Sequence, residues 1–201
     1  MPQTRTGGLC GLGFAVLLLI GGLLISLPSS AATGQRIQQF YADNAVPVLL
    51  QQVVDVLSLP LFLAFAAVLE RRLKGGRLFW IIALFVVAVE LATNIPPILL
   101  AVFKPPAEAA HTLTVVEDLM DSLLFVAIAC FAADVGLLRT GWVRIVALAV
   151  AVVCFLRAVG SPVGITVLDA LAPLAFLALV LLLSVSLLVA TGERSEAGAT
   201  S

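Results

Sequence analysis

The chain has 201 residues, 62% of them hydrophobic and only 11% charged, with a formal net charge of -1. An average soluble domain is roughly 45 to 50% apolar and about 25% charged, so there is too little polar surface here to cover a water-facing fold, and lipid is the expected solvent. The near-neutral balance, with basic residues confined to short connections, excludes a nucleic-acid-binding arm or stripe.

A first apolar segment spans about residues 9–27 after a short leader, residues 1–8, whose only charge is Arg5. Its length exceeds the roughly 7 to 15 apolar residues of a signal peptide, so a retained helix is expected despite the small residues after Pro28. Its glycines, Gly7, Gly8, Gly11, Gly13, Gly21 and Gly22, are suited to close approach of a neighbouring helix. Residues 28–46 form a long polar connection in which Ile37, Phe40 and Tyr41 fall at i, i+3 and i+4, the pattern of a short interfacial helix.

The second segment, about 46–69, carries Gln51, Gln52, Asp55 and Ser58 on one side and Pro60 as a bend, and is expected to end in a basic loop from Glu70 to Arg77. The third, about 78–103, places Glu90, Thr93 and Asn94 on one face before Pro96-Pro97, a pair that removes two backbone donors and should bend or unwind the helix. Residues 104–111 read as a loop. The fourth segment, about 112–138, holds Thr114, Glu117, Asp118, Asp121 and Ser122, with Asp134 near its far end. The fifth, about 143–159, contains Cys154 and Arg157. A Gly-Ser-Pro turn then leads to the sixth, about 165–190, which begins with Thr166 and Asp169, bends at Pro173 and gives way to a polar tail, residues 191–201.

Six spans put both chain ends on one side. With Arg5, Arg71, Arg72, Lys74, Arg77, Arg139, Arg144 and Arg194 on that side and only Arg36 and Lys104 opposite, the positive-inside rule predicts cytoplasmic termini in a plasma membrane. Trp80 and Trp142 fall at the inner boundary. The fold class expected is an all-α bundle of six transmembrane helices.

Helical rise then places Asp55, Glu90, Asn94, Glu117, Asp118, Asp121, Arg157 and Asp169 in the middle or outer half of a hydrocarbon layer about 30 Å thick. Six carboxylates against one guanidinium cannot all stay ionised in such a medium without protons, a bound cation or water. Arg157 is the natural bidentate partner of Asp169 or of a fourth-segment acid. A polar cavity among segments two to six is the result expected, with the first segment contributing no polar group. Its use would be to bind or move a proton, a cation or a small polar solute. The alternative is a structural subunit whose polar residues bind a partner membrane protein.

Enzyme signatures are missing: the chain has no GxSxG, HExxH or phosphate-binding loop, and Asp118-Leu119-Met120-Asp121 lacks the glycine of the metal-holding D-x-x-D-G pattern. No cofactor is implied. Cys10, Cys130 and Cys154 lack metal or disulfide spacing and read as small hydrophobes. His111 could complete a metal triad with Glu117 and Asp121 only if its loop folded over them.

The turn Arg139-Thr140-Gly141-Trp142-Val143-Arg144 resembles the Ser-Gly-aromatic-x-Pro-Arg turn of a bacterial family of six-helix membrane proteins catalogued as a domain of unknown function. Here threonine replaces the serine and the proline is missing. That family is also similar in its long connection after the first helix and in an aspartate of its second helix, matched by Asp55. The resemblance covers about residues 10–190 and implies an orphan membrane protein, with no activity attached.

Overall fold

The computed structural model describes residues 2–161 and 167–199, with side chains for residues 4–161 and 167–189. Those residues form eight helices: α1 (Pro2–Leu24), α2 (Gly34–Asp43), α3 (Ala45–Leu73), α4 (Gly76–Thr93), α5 (Ile95–Phe103), α6 (Ala107–Leu138), α7 (Trp142–Gly160) and α8 (Val167–Ala199). No strand occurs among the described residues. Six stretches are long and apolar enough to cross a membrane, with α4 and α5 together making the third. A helix satisfies all its backbone polar groups internally, which hydrocarbon requires.

Several expected boundaries shift. The basic loop shrinks because α3 continues through Arg71 and Arg72 to Leu73 and stops only where Lys74 turns left-handed at φ 56°, its N–H bonding the Glu70 carbonyl at 2.7 Å. Charged residues at a helix C-terminus suit the dipole and leave the helix intact. Residues 107–111 are likewise helical, so His111 sits on the first turns of α6 instead of in a loop. The first span begins at Thr4, inside the expected leader, and α8 runs to Ala199 through the expected tail. Thr166 and most of the turn before it lie outside the described residues.

Pro60 and Pro173 sit inside continuous helices. Pro96-Pro97 instead ends one helix and starts the next, because proline is tolerated in a first turn, where its missing N–H has no partner to lose. Asn94 stands at this break.

Glycines bring the ends of α1, α3 and α8 together. A side-chain carbon on Gly7 would strike Val68, on Gly8 Leu188, and on Gly11 both Ser184 and Phe65. Gly75 of the α3–α4 turn meets Leu138 at the end of α6, so the start of α1, the α3–α4 turn and the α6–α7 turn share one end of the bundle with the second half of α8. Arg5, Arg71, Arg72, Lys74, Arg77, Arg139 and Arg144 cluster there, and this basic end orients the remainder of the description.

Above it lies the main core. Phe131 at its centre contacts Phe62, Phe79 and Phe176 at ring-centroid distances of 5.3, 5.4 and 6.4 Å, and Phe14 of α1 joins Phe62 at 5.2 Å. Five helices thus meet through aromatic edges and faces. At the opposite end Ile37 and Tyr41 of α2 pack with Val48, Leu100, Ala101 and Ala110 in a smaller apolar cluster. The short helix of the long connection is thereby a cap on the bundle.

Replacing Gly11 by leucine should destabilise the protein by about 2 kcal/mol, the order of cost of overpacking a filled interface. Alanine at Gly22, where an added carbon meets nothing within 4 Å, should change stability by less than about 0.5 kcal/mol. Thermal unfolding in detergent micelles compares the two.

Candidate functional site

Between the aromatic core and the cap lies a polar tier, and the structure divides the predicted residues of that tier into three groups. The first is an ion cluster. Arg157, 7% exposed, projects from α7 near its end and pairs through Nη2 with Asp121 Oδ2 on α6. Its Nη1 reaches the Asp121 carbonyl at 3.5 Å, and its Nε faces Asp169 Oδ1 of α8 at 3.5 Å without a hydrogen bond. The guanidinium lies 3.8 Å from the centre of the Phe125 ring, a cation–π contact that a desolvated site strengthens. Asp169 and a fourth-segment acid, expected as alternatives, thus both flank Arg157, with the hydrogen bonds going to Asp121.

The second group ties the cap to α6. Tyr41 donates to Glu117 Oε2 at 3.3 Å, and the backbone N–H of Ser30 donates to Asp118 Oδ2 at 2.9 Å. Burial, then the carboxylates of Glu117 and Asp118, push the Tyr41 phenol above its ordinary range, so it stays protonated and acts as the donor. The ring of His111 bonds the Ser30 carbonyl at 3.1 Å. The imagined triad is thus dispersed: His111 turns to Ser30, Glu117 to Tyr41 and Asp121 to Arg157. Among the described residues no three His, Cys, Asp or Glu side chains are grouped to hold a metal.

The third group faces a cavity of about 400 Å³. Gln51, Asp55 and Ser58 enter it from α3, and Glu90 enters it from α4. Among the described residues no side chain or N–H donates to the Asp55 or Glu90 carboxylate, and Gln51 Oε1 is buried with no partner. Ser58 spends its hydroxyl on the Asp55 carbonyl at 2.7 Å. Asn94 does not line the cavity; its amide donates to the Glu90 carbonyl at 2.6 Å, while Thr93 donates to that same oxygen at 2.7 Å. These bonds secure the end of α4 beside the break and fix the backbone that carries Glu90. Asp55 and Asp121 both lie within electrostatic reach of Glu90, so the ion cluster and the cavity are neighbours.

The cavity's walls differ from the expected ones. Phe14, Leu18, Leu19, Gly22 and Leu23 of α1 form one side, and no residue of α7 lines it. The first helix supplies no polar group, as its sequence indicates, yet it encloses the polar groups of others: Gly21 has only hydrogen where a side chain would collide with Asp55. Phe14, Phe62 and Phe176 form the floor toward the basic end.

Comparisons with family models, curated proteins and solved structures returned no match. The molecule itself defines the class: an all-α, multi-pass membrane protein in contact with the lipid bilayer, with the carboxylates of Asp55 and Glu90 among the residues that line a cavity.

Removing the guanidinium with Arg157→Met would leave Asp121 and Asp169 unpaired. Their side chains are 36% and 38% exposed, so the loss should be on the order of 2 kcal/mol, below that of breaking a fully buried pair. Arg157→Lys should fall between parent and Arg157→Met, because it keeps the charge but not the fork. Tyr41→Phe should cost about 1 kcal/mol, the worth of one hydrogen bond. Denaturant titration in mixed micelles ranks all three.

Proposed function

We propose that this is a plasma-membrane protein with cytoplasmic termini that binds and moves a proton, a cation or a small polar solute through the acid-rich cavity. The observation that carries this reading is the pair of carboxylates, Asp55 and Glu90, lining a space that no Lys or Arg among the described residues lines. Hydrocarbon disfavours a lone charge strongly enough that such groups are occupied, protonated or hydrated. Arg157, which could have neutralised them, is engaged with Asp121 and Asp169. Basic residues at one end support the orientation by the positive-inside rule. The aromatic floor blocks the cavity toward that end, so movement through the bundle requires the helices to rearrange. The α4–α5 break beside Glu90 is a natural place for that change.

Proteoliposomes test this reading. Uptake of protons, of sodium or potassium, or of organic cations should exceed that of empty vesicles and fall at least tenfold in Glu90→Gln and Asp55→Asn. Flux equal to empty vesicles for all of them, with a second membrane protein co-purifying at fixed stoichiometry, would overturn transport in favour of an assembly subunit.

A further inference from the structure

We propose that the solute of the cavity is a lipophilic monovalent amine, a protonated nitrogen on an apolar body, which enters sideways from the bilayer through the seam between α1 and α8. This rests on the cation reading above and narrows it to one chemical class.

The cavity's size and lining argue against a bare inorganic ion. Its volume of about 400 Å³ is more than ten times the roughly 30 Å³ that one water occupies in the liquid. Calcium takes six to eight oxygens and magnesium demands a near-ideal octahedron. Gln51, Asp55, Ser58 and Glu90 supply the acceptors on one side, whereas Phe14, Phe62 and Phe176 form the floor. A hydrated ion would turn most of its water shell toward phenylalanine and leucine. A sugar or another polyhydroxylated solute would leave hydroxyls unpaired against the same walls, at a cost of about 1 to 3 kcal/mol each.

One charged head and one apolar body match both halves of this lining. The ammonium's donors would meet the Asp55 and Glu90 carboxylates and the unpartnered Gln51 Oε1, and the body would lie on the aromatic floor. The space suits a ligand on the order of ten to twenty non-hydrogen atoms, the small end of the range for organic-molecule sites. A single positive charge against two carboxylates leaves one of them to hold a proton, because the neighbouring ion cluster, two carboxylates to one guanidinium, has no positive charge to spare. That cluster contributes Asp121, Asp169 and Arg157, of which Asp121 is within electrostatic reach of Glu90.

The entrance is read from where α1 and α8 touch. Gly8 against Leu188, Gly11 against Ser184 and Phe14 against Phe176 close the seam toward the basic end. Beyond Phe14 the lining residues Leu23 and Leu174 are 84% and 58% exposed, and Leu19 is exposed as well. The rim they form is apolar. An opening bounded by leucines at the depth of a spanning helix faces acyl chains, from which an amphiphilic amine partitions readily and a hydrated ion does not. Toward the opposite end the α2 cap packs over the bundle.

Gly22 offers a clean test, since it lines the cavity and a side chain there meets open space. Thermal unfolding would be followed in zwitterionic nanodiscs at pH 7 with decylamine, decanol, tetramethylammonium, sodium or potassium as probes. Decylamine alone should raise Tm by on the order of 3 °C or more at saturation. Gly22→Leu should retain the parent's unliganded Tm yet weaken the decylamine response at least tenfold in concentration, and the Asp55→Asn/Glu90→Gln double variant should abolish it. Equal stabilisation by sodium, potassium or tetramethylammonium would overturn the lipophilic class while leaving a cation site standing. Equal stabilisation by decanol, a decylamine shift that survives in the double variant, or no shift with any probe would overturn both readings. A decylamine response unchanged in Gly22→Leu would overturn the seat of the amine beside this seam, and a rate of decylamine binding from the nanodisc lipid that is unchanged in the same variant would overturn entry through it.

Discussion

Arg157 is the one buried cation among the described residues, and its engagement sets the arrangement of the polar tier. Three helices converge on it: α6 through Asp121, α8 through Asp169, and α7 through the residue itself. The contact with Phe125 adds an aromatic face to the same site. A guanidinium taken from water into hydrocarbon is tolerable only with such company, so the positions of all three helices are coupled at one depth. The pairing also has an effect at a distance. Positive charge committed to Asp121 and Asp169 is withheld from Asp55 and Glu90, which face their cavity unopposed.

Small residues and aromatic rings share the task of holding that cavity open. The glycines at the start of α1 allow its backbone to meet α3 and α8, and the phenylalanine cluster fills the space where those helices converge. Farther along, α1 supplies only Phe14, three leucines and Gly22 to the wall, leaving room that larger side chains would have filled. Pro173 belongs to the same wall. Having no N–H, it cannot bond the carbonyl one turn earlier, that of Asp169, so the stretch of α8 beside the cavity is held by fewer backbone bonds than the rest.

Much of this architecture could be read in the residues. Six apolar runs, a short helix after the first and a break at Pro96-Pro97 follow from periodicity and from proline's missing donor. The axial depth of each charge follows from helical rise, and depth was enough to bring Arg157 to Asp121 and Asp169. Rise gives no angle about the bundle axis, however, and that is why seven of the eight residues expected in one site divide among an ion cluster, a cap and a cavity, while Asn94 turns to the α4 backbone. Tyr41 and Ser30 reach Glu117 and Asp118 from a connection whose path no local pattern specifies. The wall formed by α1 was equally hidden, since glycine and leucine in a spanning helix look alike whether they face lipid or a cavity. The loops are shorter than their polarity suggests for a simpler reason: Glu70–Leu73 and Ala107–His111 are polar but entirely compatible with helix, and adjacent helices need little chain to connect them.

The Arg157 pairing also bears on how the chain enters a membrane during synthesis. An arginine within a spanning segment opposes insertion, by about 2.5 to 3.5 kcal/mol at the helix centre and less toward an end. Its principal partner, Asp121, belongs to a helix that is synthesised earlier, while Asp169 is made afterwards. α6 and α7 are joined by a turn of a few residues and meet closely where Gly136 admits Leu148. They can therefore leave the translocation channel as a hairpin whose internal charge is already neutralised, before α8 arrives with the second carboxylate to complete the site.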